Sequence, residues 1–214
     1  FLINIQPDQR AAIADFFKAA GLAPPMMDPM VRGRLQAVNG RPVRPADYAD
    51  ERAQRLVERE FNLSWSVALP SGNTVTAGRW HGQSKDAQFS VEQGLAETLN
   101  LKLGDELDYD IAGQRLVARV TSLRKLDWDS MRVNFFVVAP AGALDGLPTS
   151  LITSFHLPQE KVDFVNALVR EFPNVTVIDV AALVRQLQAT LDQVTRAVQL
   201  LFGFALVAGV VVLY

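Results

Sequence analysis

The side chains of this chain that could do chemistry are few and scattered. Its two histidines, His81 and His156, each stand alone in their neighbourhoods. His156 closes an apparent strand, SLITSFH, where an imidazole is usually structural or at the surface. His81 sits in the turn-like GRWHG of Gly78–Gly82, with Trp80 as a packing anchor. A metal site would need both imidazoles and a distant carboxylate. Asp127 and Asp129 flank Trp128, and on a strand two carboxylates two apart share a face and could divide general acid and base work. In a loop they are solvated charges around a packed ring, and that is the expectation here. Met26, Met27 and Met30 cluster among Pro24, Pro25 and Pro29. Such flexible, polarizable side chains suit an adaptable hydrophobic contact with a substrate or partner. Core filling is the equal alternative, and a methionine-only Cu(I) site is the third.

What is missing narrows the field further. No lysine-bearing phosphate loop, GxGxxG, GxSxG or HExxH occurs. Cysteine is absent, which removes disulfides, thiolate metal sites and thiol nucleophiles. No catalytic, metal-binding or cofactor-binding residue is therefore expected, and an enzyme in its own right is not the favoured reading. The 21 Lys and Arg against 23 Asp and Glu leave a net charge of −2, which argues against a nucleic-acid footprint. With 49% hydrophobic residues and a mean hydropathy of +0.11, general disorder is excluded.

The elements that must position these residues read as follows. Phe1–Gln6 is expected as a strand and Gln9–Ala20 as a helix capped by Gly21. Met30–Val38 is expected as a strand ending at the Asn39-Gly40 turn, after prolines that break regular structure. Asp50–Glu60 should be a solvent-facing helix and Leu63–Leu69 a strand. From about Thr74 to Pro140 the chain is strand-rich, with strands at Glu106–Ile111, Leu116–Leu123 and Arg132–Val138 and a helix at Glu92–Leu99. A β–α–β return follows in Ser150–His156, Gln159–Phe172 and Val175–Asp179. Two α/β ends thus flank a β-rich insertion, which predicts an α+β protein with a discontinuous subdomain and a second one inserted in it.

The C-terminal helix carries a different pattern. Val184, Leu187, Leu191, Val194, Val198 and Leu201 fall at steps of three and four, an a/d seam, with Asp179 placed to cap it. From Leu200 to Tyr214 no side chain is charged, and Tyr214 supplies the lone hydroxyl. Fifteen helical residues span about 22 Å, short of the roughly 30 Å of a hydrocarbon core. The expectation is a stalk helix running into a truncated transmembrane helix of a longer membrane protein, a rod of about 50 Å from Ala181 to Tyr214. Ala205 and Gly209 are spaced for close helix packing there. A buried C-terminal core helix is the alternative.

Beyond these patterns, VEQGLAETLNLKLGDELDYDIAGQRLVARVTSLRKLDWDS (Val91–Ser130) resembles the extracytoplasmic domain of MacB/FtsX/LolCE-type ABC-transporter permeases, the mechanotransmission or type VII class. Its Leu99-Asn100-Leu101-Lys102-Leu103-Gly104-Asp105 is similar to the class's L-G-L-K-x-G-D run. VTSLRKLDWDSMRVNFFVVAPAGALDG (Val120–Gly146), FLINIQPDQ (Phe1–Gln9) and MVRGRLQAVNG (Met30–Gly40) resemble the YbbP branch more specifically. The resemblance extends over the whole chain.

That resemblance implies a porter-like subdomain made of residues 1–73 and 148–180, a sabre-like one at 74–147, and a stalk helix from 181 to 214 entering the membrane. It also implies a bacterial inner-membrane protein with this domain in the periplasm and a separate cytoplasmic ABC ATPase as partner. A periplasmic thioesterase/lysophospholipase is a further implied partner, and lipid-like hydrophobic molecules are the implied cargo. In the alternative, the domain is a mechanotransmitting scaffold that activates or recruits a periplasmic enzyme without binding substrate. No catalytic residue is carried over, because the family has none in this domain.

Overall fold

A computed structural model of the chain describes residues 1–158, 161–180, 182, 188, 191 and 193–203, with the backbone alone at Asp129 and Val162. These residues fall into two compact units. One is Leu2–Thr176, and the other joins Phe1 to the residues from Val177 onward.

The larger unit opens with β1 (Leu2–Ile5) and α1 (Arg10–Ala19). Helix α1 stops where Gly21 takes φ +68°. There the Leu22 N–H donates to the Phe17 carbonyl at 2.9 Å and the Gly21 N–H to that of Lys18 at 2.8 Å. A left-handed residue lets the chain double back on its own last turn, and glycine enters that region without a Cβ clash. The Lys161 ammonium donates to the Ala20 carbonyl at the same end, where a cation also meets the negative pole of the helix.

Strand β2 (Asp28–Val38) serves three neighbours in succession. Its residues pair in turn with β10 (Ser150–Thr153), β4 (Phe61–Trp65) and β7 (Glu106–Ile111), all antiparallel. Pro29, expected to break structure, lies inside β2 opposite Leu151, because proline is admitted near the start of a strand. Asn39 and Gly40, at φ +52° and +72°, turn β2 into the short β3 (Arg41–Pro42) as expected.

Four further pairings close a ring. Strand β4 runs parallel to β9 (Val137–Ala139), and β9 antiparallel to β6 (Gln88–Glu92). Strand β6 runs parallel to β8 (Gln114–Leu126), and β8 antiparallel to β7. Since β7 also pairs with β2, the order β2-β4-β9-β6-β8-β7 returns to its start as a six-stranded barrel. β5 (Asn73–Gly78) hangs on β8, and β1 on β10. The ring draws strands from both sides of residue 74, and its two parallel contacts, β4 with β9 and β6 with β8, join segments remote in sequence.

Alternation sends Leu107, Tyr109 and Ile111 of β7 and Val31 and Leu35 of β2 into the interior. Tyr109 meets Phe61 and Phe89 edge to face, with ring centroids 6.0 and 5.7 Å away, the arrangement that aromatic quadrupoles favour. At Gly33 a Cβ would stand 2.9 Å from both Leu63 and Ile111, so only glycine lets these strands approach. Helix α2 (Glu51–Glu58), capped by Asp50, spends its thin apolar side, Ala53, Leu56 and Val57, on this core, as does α3 (Gln93–Leu99) with Leu95, Ala96 and Leu99.

Outside the ring, α1 and α4 (Val162–Glu171) meet through phenylalanines. Phe17 lies 4.8 Å edge to face from both Phe155 and Phe164, and Phe16 lies 5.4 Å from Phe164. The strand expected at Val175–Asp179 is the two-residue β11 (Thr176–Val177).

In the smaller unit, Asp179 Oδ1 accepts the Ala182 N–H at 2.9 Å, the expected cap. Residues 182, 188, 191 and 193–203 are helical and exposed. Of the expected seam, Leu191, Val194, Val198 and Leu201 are among these, whereas Val184 and Leu187 lie outside the described residues. Ala205, Gly209 and the apolar run beyond Gly203 also lie outside them. Among the described residues no helix is long and apolar enough to cross a membrane.

Candidate binding groove

A groove of about 540 Å³ is lined by residues of β2, β4 and β10, the start of α1 and the turns between β9 and β10. Its floor is apolar. Trp65 ends β4, Pro29 opens β2, Leu151 sits in β10, and Leu144 lies buried in the turns between β9 and β10. Those turns fold on themselves through Asp145 N–H to the Gly142 carbonyl and Leu147 N–H to that of Leu144, both at 3.3 Å.

The rim carries the polar groups. Arg10 stands at the start of α1 and donates from Nη2 to the Met27 carbonyl at 2.9 Å. Asp28, on the same stretch, has its carboxyl pushed above the usual range by burial, with Arg10 pulling the other way. Asp145 and Thr149 complete the rim. A concave site of several hundred Å³ with an apolar floor and a few polar groups has the make-up of a small-molecule pocket, and barrel mouths are common places for one.

A second polar cluster is buried where β5, β6 and β8 adjoin. Arg124 is fully buried. It donates from Nη1 to Asn73 Oδ1 and from Nη2 to the Phe135 carbonyl, each at 2.5 Å. Burial pulls its pKa down to about 10, opposed by Glu92, its register neighbour on β6. Glu92 also caps α3, accepting the N–H groups of Gly94 and Leu95 at 2.8 and 2.6 Å. Asn73 passes the chain of bonds to Asn134, and Ser122 donates to Ser90 at 2.8 Å.

His81 is likewise buried. Its Nε2 lies 2.9 Å from the Ser66 carbonyl, which can only accept, so Nε2 carries the proton. Burial pushes its pKa below 6.5. Arg124 ties β8 to the start of β5 and to the segment after residue 127. In that segment Trp128 and Met131 stand 52% and 57% exposed. The expected strand stops at Leu123, one residue short of Arg124, whose period-two phase matches the buried Ala118, Val120 and Ser122.

The residues singled out in the sequence do not converge. Met26 is 83% exposed, Met27 is buried, and Met30 packs with Phe135 and Val138, so contact and core readings divide among the three. Trp128–Ser130 is a single 3₁₀ turn, so Asp127 and the backbone of Asp129 are not placed on a strand. His156 is exposed, and His81 is tied to backbone. Among the described residues no three of His, Asp and Glu gather as a metal site would need.

No protein-family model matches the chain. In structure it is loosely similar to a crystallised domain of a protein assigned as a permease from Porphyromonas gingivalis. The TM-score is 0.37 and the identity 11%, over 68% of this chain and 69% of that one. In sequence it is 36% identical over 213 residues to the uncharacterized ABC transporter permease YbbP of Escherichia coli (strain K12), covering all of this chain and 25% of that protein. The chain therefore spans about a quarter of the length of the relative it matches. Along its whole length it is similar to a segment of a YbbP-type ABC transporter permease, as its own residues indicated.

Proposed function

We propose that the chain is the extracytoplasmic domain of an inner-membrane ABC permease subunit. It couples ATP hydrolysis on a separate cytoplasmic ATPase to the transport, extraction or release of lipid-like molecules on the periplasmic side. The observation that carries this reading is the similarity to a permease across the whole chain. In this reading residues 1–73 and 148–180 form the porter-like part and 74–147 the sabre-like part. The helix after Asp179 delivers motion from the membrane through the seam Val184, Leu187, Leu191, Val194, Val198 and Leu201, and Ala205 and Gly209 pack within the bilayer. Met26 offers an exposed apolar contact, and a periplasmic thioesterase/lysophospholipase is the partner that would consume a released lipid.

The test is to stiffen or break the helix at Gln188, a helical and exposed position. Proline there removes a hydrogen bond and clashes with the preceding turn, at a cost of about 3 kcal/mol, whereas alanine is the best helix former. In the full permease with its ATPase, Gln188→Pro should keep basal ATP hydrolysis and lose release of a fluorescent lipid probe. Gln188→Ala should keep both. Normal release by the proline variant would reduce the helix to a tether. The exposed Trp128 and Met131 favour a second reading, a scaffold that docks a partner enzyme. Partner activation by a chain that binds no lipid probe would select it.

A further inference from the structure

Two opposite charges share the rim of the groove without pairing. Arg10 lines it at the start of α1 and Asp145 lines it from the turns before β10. No salt bridge joins them, so their charged atoms stand more than 4.0 Å apart. Arg10 makes one side-chain hydrogen bond, from Nη2 to the Met27 carbonyl, and a guanidinium has five N–H donors. Asp28, beside it, offsets part of its field without accepting a hydrogen bond from it. Among the described residues the Asp145 carboxylate accepts no hydrogen bond, and only its backbone N–H is engaged. Trp65, Leu144 and Leu151 line the same groove and would reward an apolar body.

We infer that this groove binds a zwitterionic amphiphile, with its acidic head group on Arg10, its ammonium on Asp145 and its hydrocarbon over Trp65, Leu144 and Leu151. The inference rests on the proposed handling of lipid-like molecules and names their head group. A purely anionic amphiphile would satisfy Arg10 and be repelled by Asp145. A neutral one would leave both charges unmatched under its own bulk. Only a ligand carrying both signs satisfies the rim while covering the floor, and a bidentate acid on an arginine fork is among the stronger polar contacts available.

The experiment is calorimetric titration of the full chain with lysophosphatidylethanolamine, oleate and monoolein, each below its micelle threshold, with circular dichroism and melting temperature as folding controls. The zwitterion should bind tightest. Arg10→Gln should weaken it about tenfold, the size of one lost charge-assisted contact, and Arg10→Lys should recover much of the loss. Asp145→Asn should weaken the zwitterion and strengthen oleate, inverting the order. If folded Arg10→Gln and Asp145→Asn variants leave the three affinities unchanged, or if the wild-type chain prefers oleate or monoolein, the assignment is overturned. Either result beside a normal Gln188→Pro phenotype split removes the ligand and leaves the permease reading in place. Failure of the Gln188 test with the affinity inversion intact removes the coupling and keeps the site.

Discussion

The six-stranded ring and the α1–α4 layer bury their side chains by opposite means. On and beside the ring, Arg124, Ser90 and Ser122 are buried at 0% exposure, with Glu92 and His81 close behind, and each makes at least one hydrogen bond, although Arg124 Nε, His81 Nδ1 and the Tyr109 hydroxyl are buried without one among the described residues. The helical layer buries rings. Phe16, Phe17, Phe155, Phe164 and Phe172 meet at centroid distances between 4.8 and 6.2 Å, and its polar bonds lie at the helix ends. Closure explains the difference. A ring of strands fixes the position of every inward atom through its neighbours, so a polar group can be met by an acceptor that does not move. Two helices can slide by fractions of an ångström, which suits side chains whose contacts are many and undirected.

If that contrast holds, substitutions in the ring cost more than matched ones in the helical layer. Arg124→Ala should produce the largest loss, about 3–5 kcal/mol, because Asn73, the Phe135 carbonyl and Glu92 keep their buried polarity without its partner. Denaturant unfolding reads it as a lowered midpoint. Arg124→Lys should rescue little, since a single ammonium cannot span two acceptors held by one guanidinium fork. Gly33→Ala should follow at about 2 kcal/mol, because its Cβ would stand 2.9 Å from Leu63 and Ile111 in a wall that cannot yield. Phe17→Leu in the helical layer should cost about 1 kcal/mol, nearly conserving volume among neighbours free to adjust. A larger loss there than at Gly33 would dismiss the contrast.

The smallest effect should appear in pH dependence. Burial keeps the His81 imidazole neutral below its ordinary pKa of 6.5, so the unfolded chain binds more protons than the folded one as pH drops beneath that value. Stability is then full above about 6.5 and declines as pH falls. His81→Gln should flatten this part of the profile in denaturation series from pH 7 to pH 5. An unchanged slope would show that the imidazole is not held neutral by its place between Ser66 and Trp80.

Local chemistry is what the amino-acid order reveals without help. The Gly21 cap, the Asn39-Gly40 turn, the Asp50 and Asp179 helix starts and most strand positions are legible because each depends on residues within one turn of chain. The strands β5 and β6 were hidden. NTVTAG is half polar with Val75 its one large apolar residue, and QFSVE keeps buried Ser90 and Glu92 where apolar residues would mark a core strand. Period two put Arg124 in phase with buried neighbours, yet an arginine on a strand reads as an outward one until Asn73 and Phe135 are brought to it.

Of the groove, nothing singled out Arg10, Trp65 or Asp145 in the sequence, which showed only the methionines nearby as one cluster. By itself the order of residues determined the mixed α/β composition, the capped final helix and the similarity to permeases. The tertiary structure decided the closure of the ring, the burial of Arg124 and the placing of Arg10 and Asp145 on one groove. Strand closure and groove walls depend on pairings such as β4 with β9 and β10 with β2, across 74 and 122 positions between Leu63 and Val137 and between Pro29 and Leu151. No local propensity encodes contacts of that range, because they are chosen by which faces and edges remain open once the nearer elements have formed.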